Sequence, residues 1–328
     1  MKLFKNIKNW LENQEHLFYL FLFILIVPNM VLCFTEPLPF MAKVANVLLP
    51  FGCYYLLMTL SRNCGKMLWI LFLFLFFGAF QIVLLYLFGQ SIIAVDMFLN
   101  LVTTNSSEAL ELLDNLTPAI IAVIILYVPA LILGTISIIR KRKLTVEFIR
   151  RERKRAFLVF GISLLSLVGA YVQDSGYELK SDLYPLNVCY NVGLAFQRTA
   201  LTQDYHRTSK DFTFHARPTH PEGKREVYVM VIGETSRALN WQLYGYERET
   251  TPLLSRQTGL IAFPKVLTES NTTHKSVPML MSDATACNYD SIYHQKGIIT
   301  AFKEAGFRTA FFSNQRYNHS FIDFFGME

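Results

Sequence analysis

The chain has 328 residues, 52% of them hydrophobic with 28 Phe, and a mean hydropathy of +0.30, which is too apolar for an average soluble protein. Its +6 formal charge does not mark a nucleic-acid surface. The loop from Arg140 to Arg155 alone carries nine basic and two acidic residues, so the positive balance is a topology signal and a contact for anionic lipid. Five cysteines are too few for a disulfide scaffold, although Cys189 and Cys287 would share an oxidising compartment and could pair.

Crossing the hydrocarbon takes roughly 20 mostly apolar residues. Five stretches qualify: Leu17–Phe34, Val44–Leu60, Met67–Phe88, Ala119–Ile139 and Ala156–Val172. The first begins too early and runs too long for a cleaved leader, and reads as a retained anchor. Pro28 and Lys43 are tolerable in a packed membrane helix and at a helix end. The loops alternate in charge. Lys2, Lys5 and Lys8, then Arg62 and Lys66, then the Arg140–Arg155 loop lie on one side; Glu36, and Asp96, Glu108, Glu111 and Asp114, lie on the other. The positive-inside rule predicts a cytoplasmic N-terminus and places everything after Val172 outside.

Within the outer loop between the third and fourth spans, Asn100, Thr104 and Glu108 are four apart, so a helix would carry them on one face. By spacing alone that is an ordinary solvated face. Thr117-Pro118 is a good cap and first position for the fourth span. Residues 173–225 read as a polar connector lying along the membrane surface.

From Glu226 the pattern changes to soluble alternation. Val227–Ile232 is a continuous apolar run rich in β-branched residues, as expected for a strand covered on both faces, with Leu260–Val266 and Arg308–Ser313 as further strands. Ile292–Glu304 reads as a helix ended by Ala305-Gly306. This order implies a parallel α/β sheet with its chemistry at the carboxyl ends of the strands. Three strands in roughly 100 residues are fewer than an ordinary sheet has, so residues 226–328 are expected to hold only the first part of the domain. The predicted division is a membrane domain at 1–172, a connector at 173–225 and the catalytic-type stretch at 226–328.

Glu234 follows the first strand directly behind Gly233, where a carboxylate can bind a metal, cap a helix or pair with Arg237. Thr235, Thr272, Thr273 and Ser276 place hydroxyls near strand ends. A threonine hydroxyl is a poor nucleophile until a metal or base takes its proton, and most such hydroxyls are turn or cap groups. Spacing does not choose among them.

The stretch VIGETSRALNWQLYGYERETTPLL at Val231–Leu254, with NTTHKSVP at Asn271–Pro278, resembles the phosphoethanolamine transferases that modify lipid A and other envelope glycans. The pattern GE(T/S)xR…GYxRxTxPxL is long and specific. The resemblance implies five transmembrane helices followed by an outward-facing α/β domain of alkaline-phosphatase (sulfatase) type, here incomplete, in the inner membrane with that domain periplasmic. By position it makes Glu234 a zinc ligand. Thr273 would be both a zinc ligand and the nucleophile that takes phosphoethanolamine from phosphatidylethanolamine through a phosphothreonine-type intermediate. It makes Asn100, Thr104 and Glu108 the headgroup-recognising face, and lipid A, a lipopolysaccharide core sugar or another envelope glycan the acceptor.

Two departures stand out. Glu269 and Met279 occupy places where many relatives carry disulfide-forming cysteines, and the Asp-His pair that completes the family's zinc site does not occur in the sequence. A phosphoglycerol transferase of lipoteichoic-acid-synthase type is the enzymatic alternative, separable by its phosphatidylglycerol donor. A non-catalytic, lipid-binding membrane remnant is the alternative of a different class.

Overall fold

The computed structural model describes residues 10–89, 92–95, 97–98, 106–219, 223, 225–233, 236–314, 317 and 319–328; for residues 88 and 106–115 it describes the backbone alone. The chain divides into two compact units, residues 1–196 and 197–328.

The first unit is helical. Helix α1 (Gln14–Thr35) starts where the Asn13 side chain accepts the Glu15 N–H at 2.9 Å, a standard N-cap. Helix α2 (Phe40–Met58) follows. Then α3 (Cys64–Ile70) and α4 (Phe72–Phe88) meet at Leu71 with a 63° bend. The third expected span is thus a bent pair rather than one straight helix. Helix α5 (Ser106–Ile139) has 34 residues, about 50 Å at 1.5 Å per residue, so it outreaches a ~30 Å hydrocarbon layer. Its apolar portion is Leu116–Ile139. Helix α6 (Val146–Gln173) is capped by Thr145, whose hydroxyl accepts the Phe148 N–H at 3.1 Å.

Four of these helices, and the bent pair as a fifth, are long and apolar enough to cross a membrane. Their packing is consistent with that. Phe18, Phe21, Met58, Leu68 and Phe148 meet in one core, while Ile125, Ile132, Leu158, Leu165 and Val172 stand outward on α5 and α6. An outward apolar belt of this kind needs lipid as solvent. Between lipid-embedded helices the hydrophobic drive vanishes and close packing of small residues replaces it. Gly65 on α3 lies against Gly134 on α5 so closely that a Cβ built on Gly65 would come within 2.1 Å of the Gly134 carbonyl oxygen.

Buried polar groups tie loops to this bundle. Asn29 donates to the carbonyls of Asn46 (2.9 Å) and Tyr184 (2.7 Å), and Asn46 donates to Asp182 O at 2.6 Å. Gln81 accepts the Ile93 N–H at 3.0 Å, and Asn187 and Asn191 both donate to Ile93 O. Residues 173–196 therefore pack on the first unit, and the division at 196/197 falls within helix α7 (Leu186–Gln203).

The second unit is built on an aromatic core. Tyr205 stacks on Phe324 at 5.4 Å and meets Phe321 edge-on at 5.2 Å, with Val277, Met279, Met281 and Ile292 around them. Its longer helices are α8 (Thr273–Leu280), α9 (Ile298–Glu304) and α10 (Phe321–Met327). Gly297 precedes α9, and a Cβ there would lie 2.7 Å from that of Phe325. The expected helix at Ile292–Glu304 thus begins only at Ile298, after a separate 3₁₀ stretch at Ala286–Tyr293, and it ends at Ala305-Gly306 with Gly306 at φ +87°.

The described residues contain no strand. Val227–Ile232, Leu260–Val266 and Arg308–Ser313 have no regular structure, and they leave Val231 86%, Ile261 76% and Phe312 92% exposed. A continuous apolar run becomes a buried strand only when neighbouring strands and a covering layer meet it, and here the three runs form no ladder.

Candidate active site

The segment around Thr273 is organised from both sides. Upstream, Thr268 Oγ1 donates to Ser270 O at 2.7 Å, and the Ser270 and Thr272 hydroxyls are 3.1 Å apart. Thr272 is extended (φ −124°, ψ 134°) and takes the cap position of α8 without a side-chain cap bond. The Ser276 N–H donates to Thr272 O at 2.9 Å, closing the first turn. Downstream, Val277, Pro278 and Met279 are buried, Val277 and Met279 in the aromatic core. Thr273 itself is exposed. One end of α8 is fixed in the core while the other presents a hydroxyl at a helix N-terminus, where the backbone dipole favours negative charge by about 0.3–1 kcal/mol. Beside it, the Lys275 ammonium lies 6.0 Å from the Tyr289 ring centroid, a cation–π contact.

The two positions where a disulfide was not available are held by other means. Glu269 accepts the Ala286 N–H through its carboxylate, linking the loop before Thr273 to the 3₁₀ stretch. Met279 is buried against the aromatic core. Cys189 and Cys287 are exposed free thiols.

Residues 236–254 fold into short turns held by their own side chains. Gly245 takes φ +96° to end a 3₁₀ turn, a conformation that favours glycine. Thr250 Oγ1 donates to Asn240 O at 2.6 Å and accepts the Gln242 N–H at 3.0 Å, while Thr251 Oγ1 accepts the Leu243 N–H at 3.2 Å. Pro252 opens the next short helix at its first position. These groups hold the loop, a role that spacing alone did not reveal. Turn-favouring residues clustered between two apolar runs were the available signal.

The other expected site residues fall differently. Glu234, Asn100 and Thr104 lie outside the described residues, and Glu108 is described only as backbone near the start of α5. Among the described residues no three of His, Cys, Asp and Glu gather closely enough to hold a metal ion. A catalytic zinc takes about three protein ligands plus an open position. Thr273 is the one expected zinc donor among the described residues.

Part of the chain is similar to known proteins. Residues 226–328 match the Sulfatase family. That stretch contains both Thr273 and Glu234. The chain is 34% identical over 87 residues to phosphoethanolamine transferase EptA of Escherichia coli (strain K12), covering 26% of this chain and 16% of that protein. It is 34% identical over 95 residues to EptA of Salmonella typhimurium, covering 28% and 17%. With phosphatidylethanolamine transferase Mcr-1 of Escherichia coli it shares 30% identity over 137 residues, covering 39% of this chain and 24% of the relative. The chain thus spans about a sixth to a quarter of the curated relatives' lengths in these alignments. No solved structure matches it.

Proposed function

We propose that this protein transfers phosphoethanolamine from phosphatidylethanolamine to lipid A, a lipopolysaccharide core sugar or another envelope glycan, with Thr273 as the nucleophile. The observation that carries this reading is the exposed Thr273 hydroxyl at the N-terminal end of a core-anchored helix, inside the sulfatase-type stretch. The relatives' printed names supply the transferred group and the donor.

In the first step the Thr273 oxygen attacks the phosphorus of the donor. The bond from phosphorus to the diacylglycerol oxygen breaks, and diacylglycerol leaves with the proton that Thr273 gives up. In the second step an acceptor oxygen attacks the phosphothreonine, the bond to Thr273 breaks, and the acceptor's proton restores the hydroxyl. The chain's contribution is in-line positioning and a helix terminus beside the anionic phosphoryl group. Zinc would supply Lewis-acid activation, with Glu234 and Thr273 as its donors from this chain. The acidic loop with Asn100, Thr104 and Glu108 would recognise the ethanolamine headgroup. The catalytic unit would face the periplasm from the inner membrane, supported by the alternation of basic and acidic loops. An α/β sheet of alkaline-phosphatase type would incorporate the three apolar runs.

The test uses the full chain in liposomes with labelled donor and lipid A acceptor. Diacylglycerol release is expected from phosphatidylethanolamine and not from phosphatidylglycerol, and Thr273→Ala should lower it by about 10³-fold or more. Equal release by Thr273→Ala would overturn the proposal. Release from phosphatidylglycerol alone would instead support a phosphoglycerol transferase.

A further inference from the structure

At the basic end of the first unit, α6 presents two kinds of arginine. Arg151 and Arg155 are neutralised by the fully buried Glu152, at 2.8 and 2.9 Å, and Tyr55 donates to the same carboxylate at 2.5 Å. Arg150, Arg153 and Lys154 lie on a different face, and none of them has a carboxylate partner among the described residues. With Arg62 they line a recess of about 490 Å³ whose remaining walls are Val146, Ile149 and Phe157.

The recess is held in shape by hydrogen bonds to backbone carbonyls. Leu144 N–H donates to Arg62 O at 2.7 Å and Arg62 Nε donates back to Leu144 O at 2.9 Å. Arg153 Nη2 donates to Thr59 O at 2.7 Å. Asn63 joins the two loops further by donating to Ser137 O and Arg142 O. The remaining N–H groups of both guanidiniums, with Arg150 and Lys154, leave four unneutralised cations around one opening. The apolar stretch of α6 begins at Ala156, so in a bilayer spanned by that stretch the cations would sit at headgroup level and Phe157, 61% exposed, at the edge of the hydrocarbon.

A soluble polyanion would use the charge but leave the apolar wall wet, and an uncharged lipid would do the reverse. We propose that this recess is a binding site for an anionic glycerophospholipid, its phosphodiester held by Arg62, Arg150, Arg153 and Lys154 and an acyl chain laid along Phe157. The site is separate from the transfer chemistry and requires no part of it.

The test is native mass spectrometry of the full chain released from a neutral detergent, titrated with dioctanoyl phosphatidylglycerol. Saturable binding of one lipid is expected. Arg150→Gln with Lys154→Gln should weaken it about 10- to 30-fold, while Lys141→Gln with Lys143→Gln, an equal charge loss in the same loop outside the recess, should change it less than about two-fold. Glycerol 3-phosphate, which has the phosphate and no acyl chains, should bind far more weakly. Equal losses from both double variants, equal binding of glycerol 3-phosphate, or no bound lipid would each overturn the proposal.

Discussion

Glu304 closes α9 and accepts the N–H groups of Ala216 and Phe214, both at 3.0 Å. These two bonds hold its carboxyl below the ordinary carboxylate range, the Ala216 bond foremost. A depressed native pKa stabilises the fold at pH above the unfolded value and is lost as pH falls through the folded one. Protection factors of the Phe214 and Ala216 amides, which correct for intrinsic exchange, should therefore fall as the pH drops through the titration of this carboxyl, and Glu304→Gln should lower them at neutral pH. Unchanged protection factors in both conditions would remove the bonds from this account. Little of this was legible beforehand, because the partners are some 90 residues apart and neither carries a motif. Thr273 was only partly legible. Four hydroxyls were equivalent by spacing, and the resemblance chose among them. The helix behind Thr273 could have been suspected from Thr272 as a cap before Val277, but without a Glu or Gln three residues on, the capping box is absent.

Among the elements, the membrane helices were the most legible, because a 20-residue apolar window is a local property. What composition missed was their geometry. The 63° break at Leu71 has neither Gly nor Pro at its apex, the usual marks of a kink. Nor does an isolated Gly65 announce that it touches a helix 69 positions on. That contact gives a paired expectation. Gly65→Ala drives a methyl into the Gly134 carbonyl and should destabilise the detergent-solubilised protein by about 1–3 kcal/mol. Gly161→Ala, on α6 with nothing within 4 Å, should be neutral or stabilising by up to about 1 kcal/mol through helix propensity. Thermal unfolding of the two variants side by side decides this; equal shifts would mean the α3–α5 approach is looser than described. The three strand readings have no counterpart among the described residues for a related reason. An apolar run such as Val227–Ile232 records a demand for burial but not the partner that meets it.

At the scale of the molecule, two units with different solvents share one chain. The first exposes apolar side chains along α5 and α6 and gathers its cations at one end. The second buries an aromatic core and carries an exposed threonine inside a sulfatase-type stretch. Under the proposed function, such a pairing would serve a donor that is a membrane lipid, whose headgroup is reached at the bilayer surface while its tails stay in the bilayer. In the proposed reaction Thr273 carries the transferred group. The most direct measurement is peptide mass mapping of the full chain after incubation with phosphatidylethanolamine and no acceptor. A phosphoethanolamine adduct is expected on the peptide bearing Thr273, to be discharged by added acceptor. An unmodified Thr273 under conditions where transfer proceeds would contradict it.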